Sequence, residues 1–258
     1  MNNLYAGISK DELYLISRAE YEKQKLITTD FAKKLFGNLT KASYILTCLT
    51  KKGRLLQLQR GKYLLIPIKA PNQQWSFNEL VLAALWMEGI PYYIGFYTMY
   101  NYWGFTEQVP QTVFVLNTKR SCKKKIGQIL FRAVKIDELK YYGVQKIKIE
   151  NETVCISDKE RTLVDFLNNP VGSQSVENTL RLGIKQIDIE KFIKYLLKFP
   201  IAAVRKRAGY LLEKIGAEPK MLKRLQKSIV DDNTYVVLDP RKKNRKGSVS
   251  KEWRIIVN

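Results

Sequence analysis

A chain of 258 residues is long enough to hold a sizeable core and is expected to form two or three domains, and its 45% apolar content argues for a folded protein. Its 45 Lys and Arg outweigh 24 Asp and Glu, and the resulting +21 points to an anionic partner such as nucleic acid, an acidic protein or a membrane surface. Histidine is absent, which removes Ser-His-Asp and Cys-His catalysis and any histidine-bound zinc.

The positive excess is uneven: +8 up to Ala70, +2 from Pro71 to Asn169 and +11 from Pro170 onward. Cys48, Cys122 and Cys155 are far apart and odd in number, so neither a disulfide framework nor a zinc site is predicted, and a reduced, cytoplasmic setting is expected. No run approaches ~18 apolar residues, and MNNLYAGISKDE lacks the regions of a signal peptide. The expectation is a soluble, unexported protein with no membrane partner.

In chain order, Ser9 with Glu12 makes a capping-box pattern before DELYLISRAEYEKQ, in which Leu13, Ile16 and Ala19 share one side of a first helix. Thr28 and Thr29 offer cap hydroxyls to a short second helix, with Phe31, Ala32 and Leu35 on its apolar side and Gly37 to end it. After a tight turn, Ala42, Ile45, Leu46 and Leu49 recur at i, i+3, i+4 and i+7, which predicts a third helix closed by Gly53. Its opposite side carries Lys41, Ser43, Tyr44, Thr47 and Lys51. Leu55 to Gln59 and Lys62 to Ile66 then read as two strands joined at Arg60 and Gly61. Helix, turn, helix and hairpin is the order of a winged helix-turn-helix. Its third helix suits the major groove of double-stranded DNA, with Thr28, Thr29, Lys41, Ser43, Tyr44, Thr47 and Lys51 as DNA-binding candidates and Arg60 and Lys62 on the wing. The plainer reading is a protein-docking module whose lysines are merely solvated.

A linker is predicted from Ile68 to Gln74. Beyond it, Ser76 and Glu79 have capping-box spacing before FNELVLAALWME. The text then alternates: strands at Tyr92 to Ile94, Thr112 to Leu116 and Ile129 to Val134, an aromatic helix at Phe96 to Trp103, a basic turn TKRSCKKK, and a hairpin from Tyr141 to Ile156. Ser157 with Glu160 predicts a third capping box, opening the helix DKERTLVDFL. From Pro170 the pattern is helical: Val176 to Leu182, Ile189 to Phe199, Ala202 to Ile215 and Pro219 to Ile229, then strands at Tyr235 to Leu238 and Trp253 to Val257 around a basic loop expected to be mobile. Arg205, Lys206, Arg207, Lys223 and Arg224 are candidates for additional basic contacts. The expected fold class is α+β, divided into residues 1–70 (winged helix-turn-helix), 71–169 (mixed α/β) and 170–258 (helical and basic, with a terminal strand pair).

No catalytic set, cofactor fingerprint or metal site is expected. Glu138 and Lys140 have the Glu-x-Lys spacing of metal-dependent nucleases but lack an upstream acid, and DELK reads better as a turn. Gly172 and Ser173 followed by Asp188 and Glu190 loosely imitate a nucleotidyltransferase, yet Asp188 sits where a helix N-cap is expected rather than on a strand. In YYIGFYTMYNYWGF the cations needed for a base-stacking surface are missing, so core packing with a partner-facing patch is the better reading.

The segment GFYTMYNYWGFTEQVPQTVFVLNTKR, the helix ISDKERTLVDFL and the late VRKRAGYLLEKIG, behind an N-terminal winged-helix pattern, together resemble the AbiEi family of type IV antitoxins. The resemblance runs over nearly the whole chain. It implies a non-enzymatic protein encoded beside a nucleotidyltransferase toxin, with the N-terminal part repressing its own operon at inverted repeats and the rest counteracting the toxin. A stable complex with the toxin is not implied. Two alternatives from other classes stay open: a metal-dependent nuclease or nucleotidyltransferase using Glu138 or Asp188, and a winged-helix regulator that answers to a small ligand.

Overall fold

The computed structural model describes residues 7–68, 70, 77–170 and 175–258. Most of the predicted linker and the Ser76, Gly172 and Ser173 readings therefore lie outside the described residues. The chain is mixed α+β and divides into two units, residues 1–88 with 125–129, and residues 89–124 with 130–258. The expected boundary near residue 70 thus falls later, and the expected middle and C-terminal segments pack as one unit.

In the first unit, α1 (Lys10–Tyr21) begins at the expected capping box: Ser9 Oγ accepts from Glu12 N, and Glu12 Oε2 accepts from Ser9 N at 2.7 Å. Its buried stripe is Glu12, Leu15, Ile16 and Ala19, while Leu13 is exposed, a correction to the expected inward side. Glu12 claims that position because Lys52 Nζ meets its carboxylate at 2.6 Å. Burial works to raise the Glu12 pKa, but the Lys52 ammonium and the Ser9 N–H outweigh it and hold it below the ordinary value. Next come β1 (Leu26–Thr28), α2 (Thr29–Phe36), α3 (Leu39–Lys51), β2 (Leu55–Gln59) and β3 (Lys62–Leu65). The strands form an antiparallel sheet in the order β1-β3-β2. Strand β1 went unread in the sequence because it is three residues long and one of them, Thr28, also caps α2. Helix α4 (Glu79–Trp86) is capped by Asn78, whose side chain accepts from Leu80 N at 2.9 Å.

The second unit is built on a six-stranded sheet in the order β6-β7-β5-β4-β9-β8, made by β4 (Tyr92–Ile94), β5 (Thr112–Asn117), β6 (Cys122–Ile126), β7 (Ile129–Lys135), β8 (Val144–Ile149) and β9 (Glu152–Ser157), of which only the β6–β7 connection, residues 125–129, counts with the first unit. Strand β6 occupies what the sequence suggested was only a basic turn. Helix α5 (Phe96–Tyr102) follows Gly95, where a Cβ would lie 2.7 Å from Leu116 Cδ1 and 2.8 Å from Tyr93 Cε2, so a larger residue there would make both side chains shift. Helix α6 (Lys159–Asn168) is capped by Asp158, which accepts from Arg161 N at 2.8 Å. The expected box at Ser157 is therefore shifted by one residue: Ser157 Oγ pairs with Thr162 Oγ1, and Glu160 binds Lys191 Nζ at 2.8 Å instead of its own helix end.

Around α6 gather α7 (Val176–Ile184), α8 (Ile189–Lys198), α9 (Ala202–Lys214) and α10 (Pro219–Lys227) in one apolar core. Tyr100 of α5, Leu163 and Phe166 of α6, Phe192 of α8 and Trp253 near the end all contribute to it, so no boundary falls near residue 170. The terminal strands β10 (Val236–Val237) and β12 (Ile255–Val257) pair in parallel, and β11 (Ser248–Ser250) joins them antiparallel. The loop expected to be mobile is thus tied down, with Arg241 Nη2 paired to Asp239 Oδ2 at 2.6 Å and Asn258 Nδ2 donating to Asn244 O at 2.8 Å.

Candidate nucleic-acid interface

Helix α3 is positioned from both ends. Thr28 Oγ1 caps α2 by accepting from Phe31 N at 3.0 Å, and Gly37 takes φ 67° to end it, a left-handed turn that side chains resist. Asn38 Oδ1 then accepts from Lys41 N at 3.0 Å, starting α3 immediately. Ala42, Ile45, Leu46 and Leu49 turn inward against Leu15, Ile16, Ile27 and Leu55. Burying each of the larger aliphatics is worth about 2 kcal/mol, enough to hold the helix by one face and leave the other free.

That other face carries Lys41, Ser43, Tyr44, Thr47 and Lys51, all exposed, with Tyr44 at 70%. Lys51 and, at the β2–β3 turn, Arg60 are exposed and have no ion-pair partner among the described residues. Lys41 is partly occupied, 2.9 Å from Asp11 Oδ2 and over the Phe36 ring, but both members of the pair stay about half exposed. Such a pair is worth about 0–1 kcal/mol and yields readily to a phosphate. Thr47 Oγ1 donates back to Ser43 O at 2.8 Å, leaving its lone pairs outward. The neighbouring Cys48 thiol pushes the Tyr44 hydroxyl above its ordinary value, so it is a neutral donor at physiological pH.

The remaining candidates are placed less freely. Thr28 is spent on its cap, and Thr29 donates its N–H to Gly61 O at 2.9 Å, fastening the start of α2 to the hairpin turn. Lys62 Nζ lies 2.5 Å from Glu88 Oε2.

Among the C-terminal candidates two are corrected outright. Lys206 is fully buried, its Nζ donating to Asp232 O at 2.9 Å and Thr234 O at 2.6 Å and pairing with Asp232 Oδ2 at 3.0 Å. Arg207 is buried too and donates to Leu167 O at 2.8 Å and Val237 O at 3.0 Å. Neither head is available to a ligand, because backbone carbonyls of residues 232–237 and of Leu167 hold them. Arg205 is half-buried and bonds to Phe199 O, and Arg224 Nη1 pairs with Glu190 Oε2 at 2.8 Å; Lys223 is exposed.

The tempting catalytic fragments take structural roles. Glu138 to Lys140 form a 3-10 turn capped by Asp137, and Asp188 Oδ1 caps α8 by accepting from Lys191 N at 3.1 Å. Among the described residues no cluster of three Cys, Asp or Glu side chains is arranged to hold a metal, and none of Cys48, Cys122 and Cys155 is in a disulfide. None of the described helices is long and apolar enough to cross a membrane.

No family model and no curated protein matches the chain. Among solved structures, the crystal structure of the RV2827C protein from Mycobacterium tuberculosis is similar, with a TM-score of 0.67 and 13% sequence identity, over 96% of this chain and 92% of that one. At that identity the likeness is one of fold, and it supports a mixed α+β architecture over the length of the chain.

Proposed function

We propose that the first unit is a winged helix-turn-helix and that the protein is a DNA-binding transcriptional repressor and antitoxin of a type IV toxin–antitoxin system. Helix α3 is the recognition helix, and the β2–β3 hairpin is the wing. The observation that carries the DNA half is the exposed face of α3, where hydroxyls and cations stand opposite a fully apolar inner stripe. Tyr44 and Thr47 reach base edges, while Lys41, Lys51 and Arg60 neutralise phosphates. One such unit reads one half-site, so an inverted repeat takes two copies. The antitoxin half rests on the resemblance to the AbiEi family and assigns the counteraction of a nucleotidyltransferase toxin to the C-terminal unit, with a cytoplasmic location.

The test is a mobility-shift titration on the DNA upstream of the protein's own reading frame. Alanine at Lys41, Thr47 and Lys51 together is expected to weaken binding about 100-fold or more, at one to three kcal/mol per lost contact, without loss of helical signal. Undiminished binding by that variant would refute the recognition-helix assignment.

A further inference from the structure

On one face of the six-stranded sheet Val113, Val115, Phe131 and Ala133 are buried. Strand register sets Phe114 beside Arg132 and Leu116 beside Val134 in β5 and β7, and Tyr93 beside Leu116 in β4, so these residues line the other face. A cleft of about 490 Å³ opens there, within the range of small-ligand sites. Phe96, Phe114 and Phe199 supply aromatic wall, and Arg132, Lys135 and Lys140 stand around it. The lining carboxylates are Asp137, which accepts from Leu139 N at 2.8 Å, and the buried Asp165, paired with Arg161 at 2.8 Å; against these two stand Arg132, Lys135, Lys140 and Arg161, so the lining is net positive.

Arg161 is the unusual member. It lies in the lining of the cleft yet is 1% exposed. Its Nη2 donates to Asp165 Oδ1 at 2.8 Å and to the Tyr93 hydroxyl at 3.0 Å. Its Nε and Nη1 are buried with no hydrogen-bond partner among the described residues. The rings of Tyr142 and Phe199 cover the guanidinium at 4.5 and 5.2 Å, which attracts the charge but offers no acceptor in its plane. Burial works to lower the Arg161 pKa, but Asp165, Tyr93 and Tyr142 outweigh it and raise it, so the fork stays charged. The fold also makes room for it: Gly143 sits at φ 68°, and a Cβ there would be 2.6 Å from Arg161 Cβ. Donors left without an acceptor on a buried cation destabilise the fold, and an oxyanion accepted in the plane of the fork would offset that.

We propose that this cleft is a binding site for a small organic oxyanion, a carboxylate or phosphate monoester attached to a flat ring. The oxyanion is received by Arg161 with Lys135 and Lys140, and the ring rests on the phenylalanine wall. The assignment is independent of DNA recognition and gives the second unit a ligand of its own.

Calorimetric titration of the full chain with phenyl phosphate, benzoate, inorganic phosphate and benzyl alcohol tests it. Saturable binding of phenyl phosphate or benzoate is expected, tighter than that of inorganic phosphate or benzyl alcohol; which of the two binds better identifies the oxyanion. Arg161→Lys, which keeps the charge but loses the fork, is expected to weaken the better ligand at least about tenfold. Lys135→Glu alters only an exposed side chain, so it tests the site even if the Arg161 variant misfolds, and it is expected to weaken binding to a similar extent. No saturable binding by either aryl oxyanion, equal binding of benzyl alcohol, or affinity indifferent to Lys135→Glu would overturn the proposal. DNA binding in the mobility shift is untouched by any of these outcomes.

Discussion

Helices α3 and α9 are each thirteen residues long and each carries lysines, yet they use them in opposite ways. In α3 the cations sit outside a continuous apolar stripe, and nothing among the described residues covers Lys51. In α9 the triplet Arg205, Lys206 and Arg207 turns inward or is half-buried, and its heads are consumed by carbonyls at Phe199, Asp232, Thr234, Leu167 and Val237. A basic run is therefore not by itself a basic surface. What decides is whether the fold brings acceptors to it.

The comparison can be broken most sharply at the buried pole. Lys206→Ala removes a fully buried ammonium and its charge-assisted bonds to two carbonyls, so it should cost about 2–3 kcal/mol in a denaturant melt. A loss below about 1 kcal/mol would mean that Lys206 is as free as Lys51. A smaller effect is expected where a hydroxyl holds α2 in place: Thr28→Ala removes the N-cap and should cost about 1 kcal/mol, read by the same melt. Because the cap also sets the approach of α3, the proposed DNA recognition predicts weaker binding by that variant in the mobility shift as well.

The smallest effect is one of pH. A hydrogen bond from the Thr234 hydroxyl, assisted by Lys206, holds the Asp232 pKa down to about 2 from an ordinary 3.8. A carboxyl lowered by folding lends stability that is present above pH 3.8 and lost as the pH falls toward 2. The unfolding midpoint should therefore drop less across that window in Asp232→Asn than in the parent chain. Parallel curves would show that the Asp232 contact contributes nothing.

Much of the fold was readable locally. The inner stripe of α3, its outward hydroxyls and cations, the capping box of α1 and the four late helices all follow from spacing within about two turns. The α6 cap was misplaced by one residue because Ser157 and Asp158 are both good caps. Ser157 is drawn to Thr162 Oγ1, and Glu160 to Lys191 and to Asp188 N. Strand β6 hid behind its lysines, since a sheet edge tolerates charge that a central strand does not. Arg161 and Asp165 stand four apart in RTLVDF, a spacing shared with the exposed pairs Arg18–Glu22 and Glu177–Arg181, so the sequence did not mark them as buried. Arg207 did leave a trace, lying three residues after Val204 and four before Leu211 on the inward stripe of α9.

By itself, then, the sequence determined where most of the helices lie, which side of α3 is greasy and which is polar, and that the chain as a whole is strongly basic. Those properties depend on neighbours within a few residues, and helical and strand periods express them directly. Only the tertiary structure decided which cations remain available. The groups that neutralise Lys206 and Arg207, and those that leave Arg161 half-satisfied beside an aromatic cleft, mostly come from chain positions some 20 to 70 residues away. Long-range approach of backbone acceptors has no periodic signature, so charge could be counted from the sequence but its availability could not.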